Sequence, residues 1–480
     1  MDHDVIIIGA GLGGLTAGAK LAKEGWRVLV LEQHDRPGGC ATTFRRGDYT
    51  MEVGLHEMDG LHPGDMKNRI FDDLGVSSQV EFLPVPEFYR FLNDRLDLVV
   101  PHDPEAARGI LKKQFPGQQQ GIDDYFYHVL NAKRVMIANR NNPDRSVGSF
   151  LDEIITDDDL KLVLLGNLGY FHDDPYSLSW IYYLTAQGSY YAGRANYIKG
   201  GSQQLSNALS RVITEHGGNV LLNHLATSID YEGGKPVGVI YEKTRGRQKG
   251  TAAIRANHII VNAAVPNLAE TLLSKTDRKK LADAISANTI GASLLTVYYG
   301  FSKPLKELGN KHYSTFLFDA SVSSPRDIQT NNHSDFSKRS FTLVDYSQVD
   351  ANLAPAGKSV GAVCAVDYPE DWEGLDRNEY NRMKADVADM VTGRCERFIP
   401  GFRDAVEYVD VATSLSVRRF TLNPGGAVYG FAQNPGKPAT YLSALPENIH
   451  VASAWGKFGG GFSGAIFSGY MTAVELLRKS

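Results

Sequence analysis

Cysteine is scarce in this chain of 480 residues: there are three, Cys40, Cys364 and Cys395, an odd number set far apart. That excludes a disulfide framework and fits free thiols in a reducing compartment. Long apolar runs are also missing. No stretch of eighteen apolar residues occurs, which excludes a helix spanning a bilayer and leaves attachment at a membrane surface open. The first apolar run, residues 5–8, reads as a strand and not as a secretory leader. Positive charge is not in excess. The net charge is −5, so no basic field marks a nucleic-acid binder. Two hydrolase signatures fail on spacing. An H-E-x-x-H zinc site starting at His56-Glu57 would need histidine where Gly60 stands, and no metal is expected. The nearest approach to G-x-S-x-G ends at Ala465, which removes a serine-hydrolase elbow.

What is present is concentrated at the start. Residues 5–14 read Val-Ile-Ile-Ile-Gly-Ala-Gly-Leu-Gly-Gly. A short apolar strand runs into G-x-G-x-x-G, a small-residue helix carries Leu15, Gly18 and Leu21 on one face, and Gly25 stops it. A second strand, Val28 to Leu31, then delivers Glu32. Gly9 permits the tight turn, Gly11 lets the backbone approach a pyrophosphate, and Gly14 lets helix and strand pack closely. Free N–H groups at the helix N-terminus face the phosphates, and Glu32 can accept from a ribose diol. Strand, glycines, helix, strand and acid in this order supply the context that the motif requires. The Pro37-Gly38-Gly39 loop exposes backbone N–H groups directly after the acid, well placed to line the same dinucleotide.

A chain this long exceeds one hydrophobic core, and its style changes along its length. Residues 61–195 are helical in pattern and rich in aromatics, and read as an insertion. From Gly200-Gly201-Ser202 the α/β style returns. Ser202 is placed to cap a helix ended by Gly217-Gly218. Val220–Leu222 reads as a buried strand, and further strands are expected at 226–231, 237–241 and 254–261. The basic tip Lys243, Arg245, Arg247 and Lys249 reads as a solvated hairpin turn. A strand from Leu294 to Tyr299 and a polar loop at 323–340 follow. Ile449 to Ala452 and the glycine-rich turn 456–464 then lead into a last amphipathic helix. The expected division is a discontinuous dinucleotide-binding domain (1–60, 196–290 and 411–480) and a substrate domain (61–195 and 291–410).

Four segments together carry a resemblance. They are the fingerprint with Leu31-Glu32-Gln33-His34, the Gly38-Gly39-Cys40-x-x-Thr43-Phe44 loop with Gly54-x-His56, the Tyr197-x-x-Gly-Gly segment, and Ala454-Trp455-x-x-x-Gly-Gly-Gly-Phe-Ser-Gly at 454–464. The chain resembles the FAD-dependent phytoene desaturase, carotenoid isomerase and retinol saturase superfamily, and its wording is most similar to the last two branches. The resemblance implies an α/β fold: a Rossmann-type FAD-binding domain with an inserted, discontinuous α+β substrate domain. It also implies how FAD is held. Gly9, Gly11 and Gly14 take the pyrophosphate and Glu32, next to Gln33, the adenosine ribose. Gly38, Gly39 and Thr43 run along the phosphates and ribityl chain. Ala226 meets the adenine through its backbone. Gly461 and Phe462 approach the flavin pyrimidine edge, and Gly54 and His56 sit near the isoalloxazine. Three positions depart from the family pattern: Cys40 where relatives often carry arginine, Ser453-Ala454-Trp455 where many carry an aspartate, and Phe458 where many carry proline.

With FAD bound, the reactive atom is flavin N5. An aromatic, apolar insertion suits a long polyene (a carotenoid, a retinoid or a polyunsaturated lipid) undergoing desaturation, saturation or isomerisation. A second dinucleotide fingerprint is lacking, so an external electron donor or acceptor is expected when electrons are exchanged. His56 and Glu57 are the candidate catalytic residues, as proton donor or orienting group. The bland alternative has His56 satisfying backbone groups and Glu57 at the surface. Tyr182, Tyr183, Tyr190 and Tyr191 either line a tunnel or fill an ordinary core. A flavin amine oxidase and a non-catalytic isoprenoid escort of the same fold are the competing readings. The expected location is the cytoplasm, with peripheral membrane contact left open.

Overall fold

The computed structural model describes residues 2–139, 145–245, 250–437 and 440–479. The chain opens with strand β1 (His3–Ile8), the helix Leu12–Lys23 and strand β2 (Val28–Glu32). A hairpin of β3 (Thr43–Arg46) and β4 (Tyr49–Glu52) follows, then β5 (Met58–Asp59), β6 (Phe82–Pro84), β7 (Tyr89–Leu92) and β8 (Asp97–Val100). A helical stretch ends with the helix Trp180–Gly193. It leads to β9 (Ala195–Ile198), the helix Gln203–Glu215, β10 (Asn219–Leu222), β11 (His224–Glu232), β12 (Lys235–Lys243) and β13 (Thr251–Val261). Beyond these lie β14 (Ser293–Phe301), β15 (Ser314–Leu317), β16 (Phe341–Val344), β17 (Ser359–Asp367), β18 (Val406–Ala412), β19 (Ile449–Val451) and the helix Gly461–Leu477.

Among the described residues, two sheets have seven strands each. The first runs β10-β2-β1-β13-β12-β11, with β19 also on β13. Its β10, β2, β1, β13 and β19 are parallel, which is why Val5–Ile8 and Val28–Leu31 are continuous apolar runs buried on both faces. The second runs β18-β14-β17-β16-β15-β7-β8 and is antiparallel except for β15 on β7. Side chains alternate across it. Leu295, Val297 and Tyr299 pack with Val387, Val391 and Cys395 of the helix Arg377–Glu396, while Thr296 and Tyr298 face the cavity described below. A small sheet, β5-β9-β6, stands apart from both.

The helix Leu12–Lys23 lies close on β1 because glycines permit it. A Cβ on Gly14 would stand 2.3 Å from the Gly9 carbonyl oxygen, and one on Gly13 would stand 2.2 Å from that of Ala452. The helix Gly461–Leu477 approaches from the other side, where a Cβ on Gly469 would stand 2.2 Å from the Gly13 oxygen.

Some local expectations change. Val220–Leu222 is a half-buried edge strand, because among the described residues nothing pairs with β10 beyond β2. The strand from Tyr49 ends at Glu52, short of Gly54, where the Glu52 carboxylate turns to accept backbone N–H groups. Ser202 precedes its helix without capping it by side chain, since its hydroxyl donates to Glu52 at 2.6 Å. The polar segment 323–340 contains a short helix, Asp327–Asn332, with the Asp327 carboxylate accepting the Ser323 and Ser324 N–H groups. Of the basic tip, Arg247 and Lys249 lie outside the described residues, while Arg245 pairs with Asp35 at 2.8 Å. The expected boundaries at 195/196 and 410/411 cut β9 and β18. We propose that the domain division follows the ends of those strands instead.

Candidate active site

A single cavity of about 2360 Å³ is lined by residues of the first sheet, the second sheet and the aromatic helices. Small-molecule pockets typically measure about 300–1,000 Å³, so this one has room for a dinucleotide and a long second ligand. It brings together Gly9, Gly11, Glu32, Gln33, Gly38, Gly39, Thr43, Gly54, His56, Glu57, Ala226, Gly461 and Phe462.

Gly14 is the exception among the expected residues. It does not line the cavity. It lies in the first turn of the helix Leu12–Lys23, on the face packed against β1, and its N–H donates to Asn262 Oδ1 at 3.0 Å. Gly11 is the residue before the helix and offers no side-chain cap, which leaves N–H groups of the first turn free for an anion. The same holds at Gly460, before the helix Gly461–Leu477. Gly38 and Gly39 have φ of 130° and 60° and fold back so that Gly38 bridges to Gly11. Glu32 is buried, and each oxygen accepts one backbone N–H, from Ala10 at 2.7 Å and His34 at 2.9 Å. A carboxylate oxygen has two lone pairs, so both can still accept from a diol. Gln33 lines the wall but its amide is engaged with the Phe420 carbonyl at 3.2 Å. Two N-termini with free N–H groups, glycines where a Cβ would intrude and an acid with spare lone pairs fit FAD. Cys40 lines the cavity as a thiol, since burial pushes its pKa up to about 11. Ser453, Ala454, Trp455 and Phe458 line it too.

The aromatic part of the wall contains His56 and Glu57. His56 is buried and held by both ring nitrogens: Nδ1 lies 3.2 Å from the Tyr170 hydroxyl and Nε2 lies 3.1 Å from Cys364 Sγ. Burial lowers its pKa to about 4, so the imidazole is neutral at ordinary pH. Glu57 is buried, not at the surface. Neither of its oxygens has a hydrogen-bond partner among the described residues. Burial, with Glu87 and Asp59 nearby, pushes its pKa well above the ordinary 4.5 and so favours the neutral carboxyl. The tyrosine cluster divides. Tyr182 and Tyr190 line the cavity, whereas Tyr183 and Tyr191 are core, with the Tyr183 hydroxyl donating to the Leu164 carbonyl at 2.5 Å.

Several residues escaped the sequence reading. Asn262 follows β13 and reaches back to the glycine turn 248 positions earlier. Tyr170 and Cys364 hold His56 from 114 and 308 positions away. Glu52 fixes the loop bearing His56 and Glu57: it accepts from Ser202 N at 2.8 Å, Ser202 Oγ at 2.6 Å, Leu55 N at 3.2 Å and Gly54 N at 3.3 Å. Burial pushes its pKa up to about 7 against the pull of these donors. Glu52→Ala strips four donors, three of them buried, of their acceptor. It should cost about 3 kcal/mol or more, read as a lower denaturant midpoint with an unchanged slope; a loss under about 0.5 kcal/mol would show that water replaces the carboxylate.

Comparison with known proteins gives a consistent result. The family described as flavin containing amine oxidoreductase matches residues 12–477. All-trans-retinol 13,14-reductase of Danio rerio is 26% identical over 89% of this chain and 77% of its own length. The chloroplastic prolycopene isomerase of Daucus carota is 26% identical over 89% and 72%. The 4,4'-diapophytoene desaturase of Methylomonas sp is 26% identical over 78% and 74%. Among solved structures, an oxidoreductase from Methanosarcina mazei superposes with a TM-score of 0.67 at 17% identity, covering 99% of this chain and 100% of that one. Cyclohexylamine oxidase from Brevibacterium oxydans superposes with a TM-score of 0.61 at 16% identity, covering 100% and 99%. These structures share the fold.

Proposed function

Since this chain belongs to the flavin-containing amine oxidoreductases and uses FAD, we propose that it acts on carbon–carbon double bonds of a long apolar polyene, such as a carotenoid, a retinoid or a polyunsaturated lipid. The carrying observation is the buried Glu57 carboxyl, unpartnered among the described residues, in the cavity wall beside the buried His56 ring, both held toward their neutral forms by burial. Neither group presents a charge that a hydrocarbon would leave unsolvated. The similarity to enzymes named for retinol, prolycopene and diapophytoene supports the same reading. The dinucleotide would lie along Gly9, Gly11, Gly38, Gly39 and Thr43, with Glu32 at the ribose, Ala226 at the adenine and Gly461 and Phe462 near the pyrimidine edge.

FAD, when bound, supplies hydride transfer. The protein's part is to place the polyene and to hold a proton. Tyr170 and Cys364 fix the plane of His56, so the ring is a rigid wall beside Gly54. Glu57 would hold a proton on a carboxyl oxygen for which no acceptor competes among the described residues. Saturation consumes that proton, desaturation returns one, and isomerisation does both in turn. An external donor or acceptor supplies or removes electrons, because only one dinucleotide fingerprint is found in the sequence.

Anaerobic incubation of the reduced and the oxidised holoenzyme with a polyene panel tests this. Product mass should show two added hydrogens, two removed, or an unchanged mass with a new isomer. Peroxide release from amines with every polyene returned unaltered would establish the amine oxidase reading. A protein that takes up no flavin on reconstitution would leave the escort reading.

A further inference from the structure

We infer that Asp59, locked in place by Lys67 and Ser463, sets the reduction potential of the bound flavin: its fixed negative charge holds the potential down and makes the reduced cofactor the readier hydride donor. A wall that faces a hydrocarbon has no need of charge, yet three charged side chains meet in this one. Lys67 is buried, with Nζ 3.2 Å from Asp59 Oδ2 and 3.4 Å from Asp65 Oδ2. All three residues line the cavity. The Ser463 hydroxyl donates to the other Asp59 oxygen from the first turn of the helix Gly461–Leu477. The chain closes tightly on the cluster at Gly60, where a Cβ would stand 2.2 Å from Asp65 Oδ2 and 2.7 Å from Lys67 Nζ.

Stability does not account for this cluster. Desolvating charges is costly, and apolar side chains of similar volume in their place often leave a protein as stable or more so. What the cluster supplies is a charge at a fixed position. The Lys67 ammonium is shared between two carboxylates, so it does not cancel Asp59. Burial alone would raise the Asp59 pKa, but Lys67, Ser189 and Ser463 together hold it below the ordinary carboxylate range, which favours the ionised form. The charge is felt inside the cavity: after burial it raises the Tyr182 pKa, and after burial and Glu87 that of Glu57. The inference rests on the proposed flavin placement, with the pyrimidine edge near Gly461 and Phe462. Ser463 is the next residue. Reduction adds electron density to the flavin ring. The free N–H groups of the helix N-terminus favour it, and the Asp59 carboxylate bonded to the same turn opposes it. Charge beside the ring is one of the means by which a protein tunes a flavin.

The test is the reduction potential of the holoenzyme, read anaerobically against a redox dye with no substrate present. Asp59→Asn keeps an oxygen for Ser463 and removes the charge. It should raise the ratio of reduced to oxidised flavin at a fixed poise at least about ten-fold, a shift of about 30 mV for a two-electron couple. The shift should persist at high salt, because a charge in a cavity wall is little screened. Asp65→Asn still caps the helix Met66–Leu74 and should shift the ratio the same way by less. Ser463→Ala breaks the hydrogen bond and keeps the charge, so it should leave the ratio within about two-fold. An unchanged or lowered ratio in Asp59→Asn overturns the inference. So does a Ser463→Ala shift as large as that of Asp59→Asn, which would assign the effect to the hydrogen bond. Should Asp59→Asn purify without flavin, Asp65→Asn decides, and no rise there overturns the inference. The product-mass assay judges the polyene reading separately.

Discussion

Gly14→Val should give a protein that folds poorly and purifies with little flavin. The Cβ would stand 2.3 Å from the Gly9 carbonyl oxygen, 3.0 Å from Asn262 Cβ and 3.1 Å from Ile7 Cγ2. The first of these is backbone and cannot rotate away, so the helix Leu12–Lys23 must lift off β1. Overpacking in side-chain cores costs about 1–3 kcal/mol, and a backbone clash lies at the top of that range. The lifted helix also loses the Gly14 to Asn262 bond and carries its free N–H groups away from the pyrophosphate position. Flavin affinity should fall at least about 100-fold, equivalent to about 2.7 kcal/mol. Gly25→Ala is the control. Nothing lies within 4 Å of its Cβ, although its φ is +84°. It should cost about 1 kcal/mol of stability and keep the flavin. The readout is visible flavin absorbance per mole of protein, and a Gly14→Val protein with stoichiometric flavin would refute the packing account.

Glu57→Gln should lower turnover about 10²-fold or more, the range for loss of a positioned proton donor, with KM and flavin content held. A pH signature accompanies it. Buried Glu57 keeps its proton in the native state well above 4.5, while the unfolded chain releases it near 4.5. Stability from the neutral carboxyl is therefore complete below about pH 4.5 and declines as pH rises toward the raised native value. Glutamine cannot ionise. The variant should match the wild type in melting temperature at about pH 4 and exceed it increasingly toward alkaline pH. Wild-type turnover should fall as pH rises through the native pKa of Glu57, and the variant should lack that limb. Equal turnover in the two proteins would remove Glu57 from the chemistry.

The parts of the protein legible in the sequence are those specified over short distances. Strand, glycine turn, helix and acid occupy residues 3–32, and their periodicities of two and 3.6 residues can be read in place. The helices Gln203–Glu215 and Gly461–Leu477 and the strands β11 to β13 announce themselves in the same way. What escapes is set by contacts between distant segments. Ser202 looks like a cap because serine usually is one, but Glu52, 150 positions away, takes its hydroxyl. For Glu57 the sequence left a catalytic and a surface reading open, because lone carboxylates are seldom buried; here the fold encloses it, and burial raises its pKa. In the helix Trp180–Gly193 apolar and aromatic residues together occur on every side, so no apolar stripe separates cavity-facing Tyr182 and Tyr190 from core Tyr183 and Tyr191. Gly14, by contrast, has the packing role that its position in the fingerprint gives it: it sits on the helix face against β1 and does not line the cavity.

The register of the first sheet has a consequence for how the protein is made. β1 pairs with β13 at Ile8 and Val261, and β13 pairs with β19 at Val261 and Val451. Gly13 then sits against the Ala452 carbonyl and under Gly469. A ribosome translates roughly 5–20 residues per second, so the roughly 440 residues from Ile8 to Val451 take about twenty to ninety seconds. Throughout that time the finished glycine turn has no roof. From Val261 onward β1 has both its neighbours, but the end of β13 at Ile259–Val261 has no β19 beside it and the dinucleotide loop lacks its second wall. The wall formed by residues 453–467 is therefore the last part of the cavity to be made, and a complete flavin site exists only once the helix Gly461–Leu477 has been synthesised.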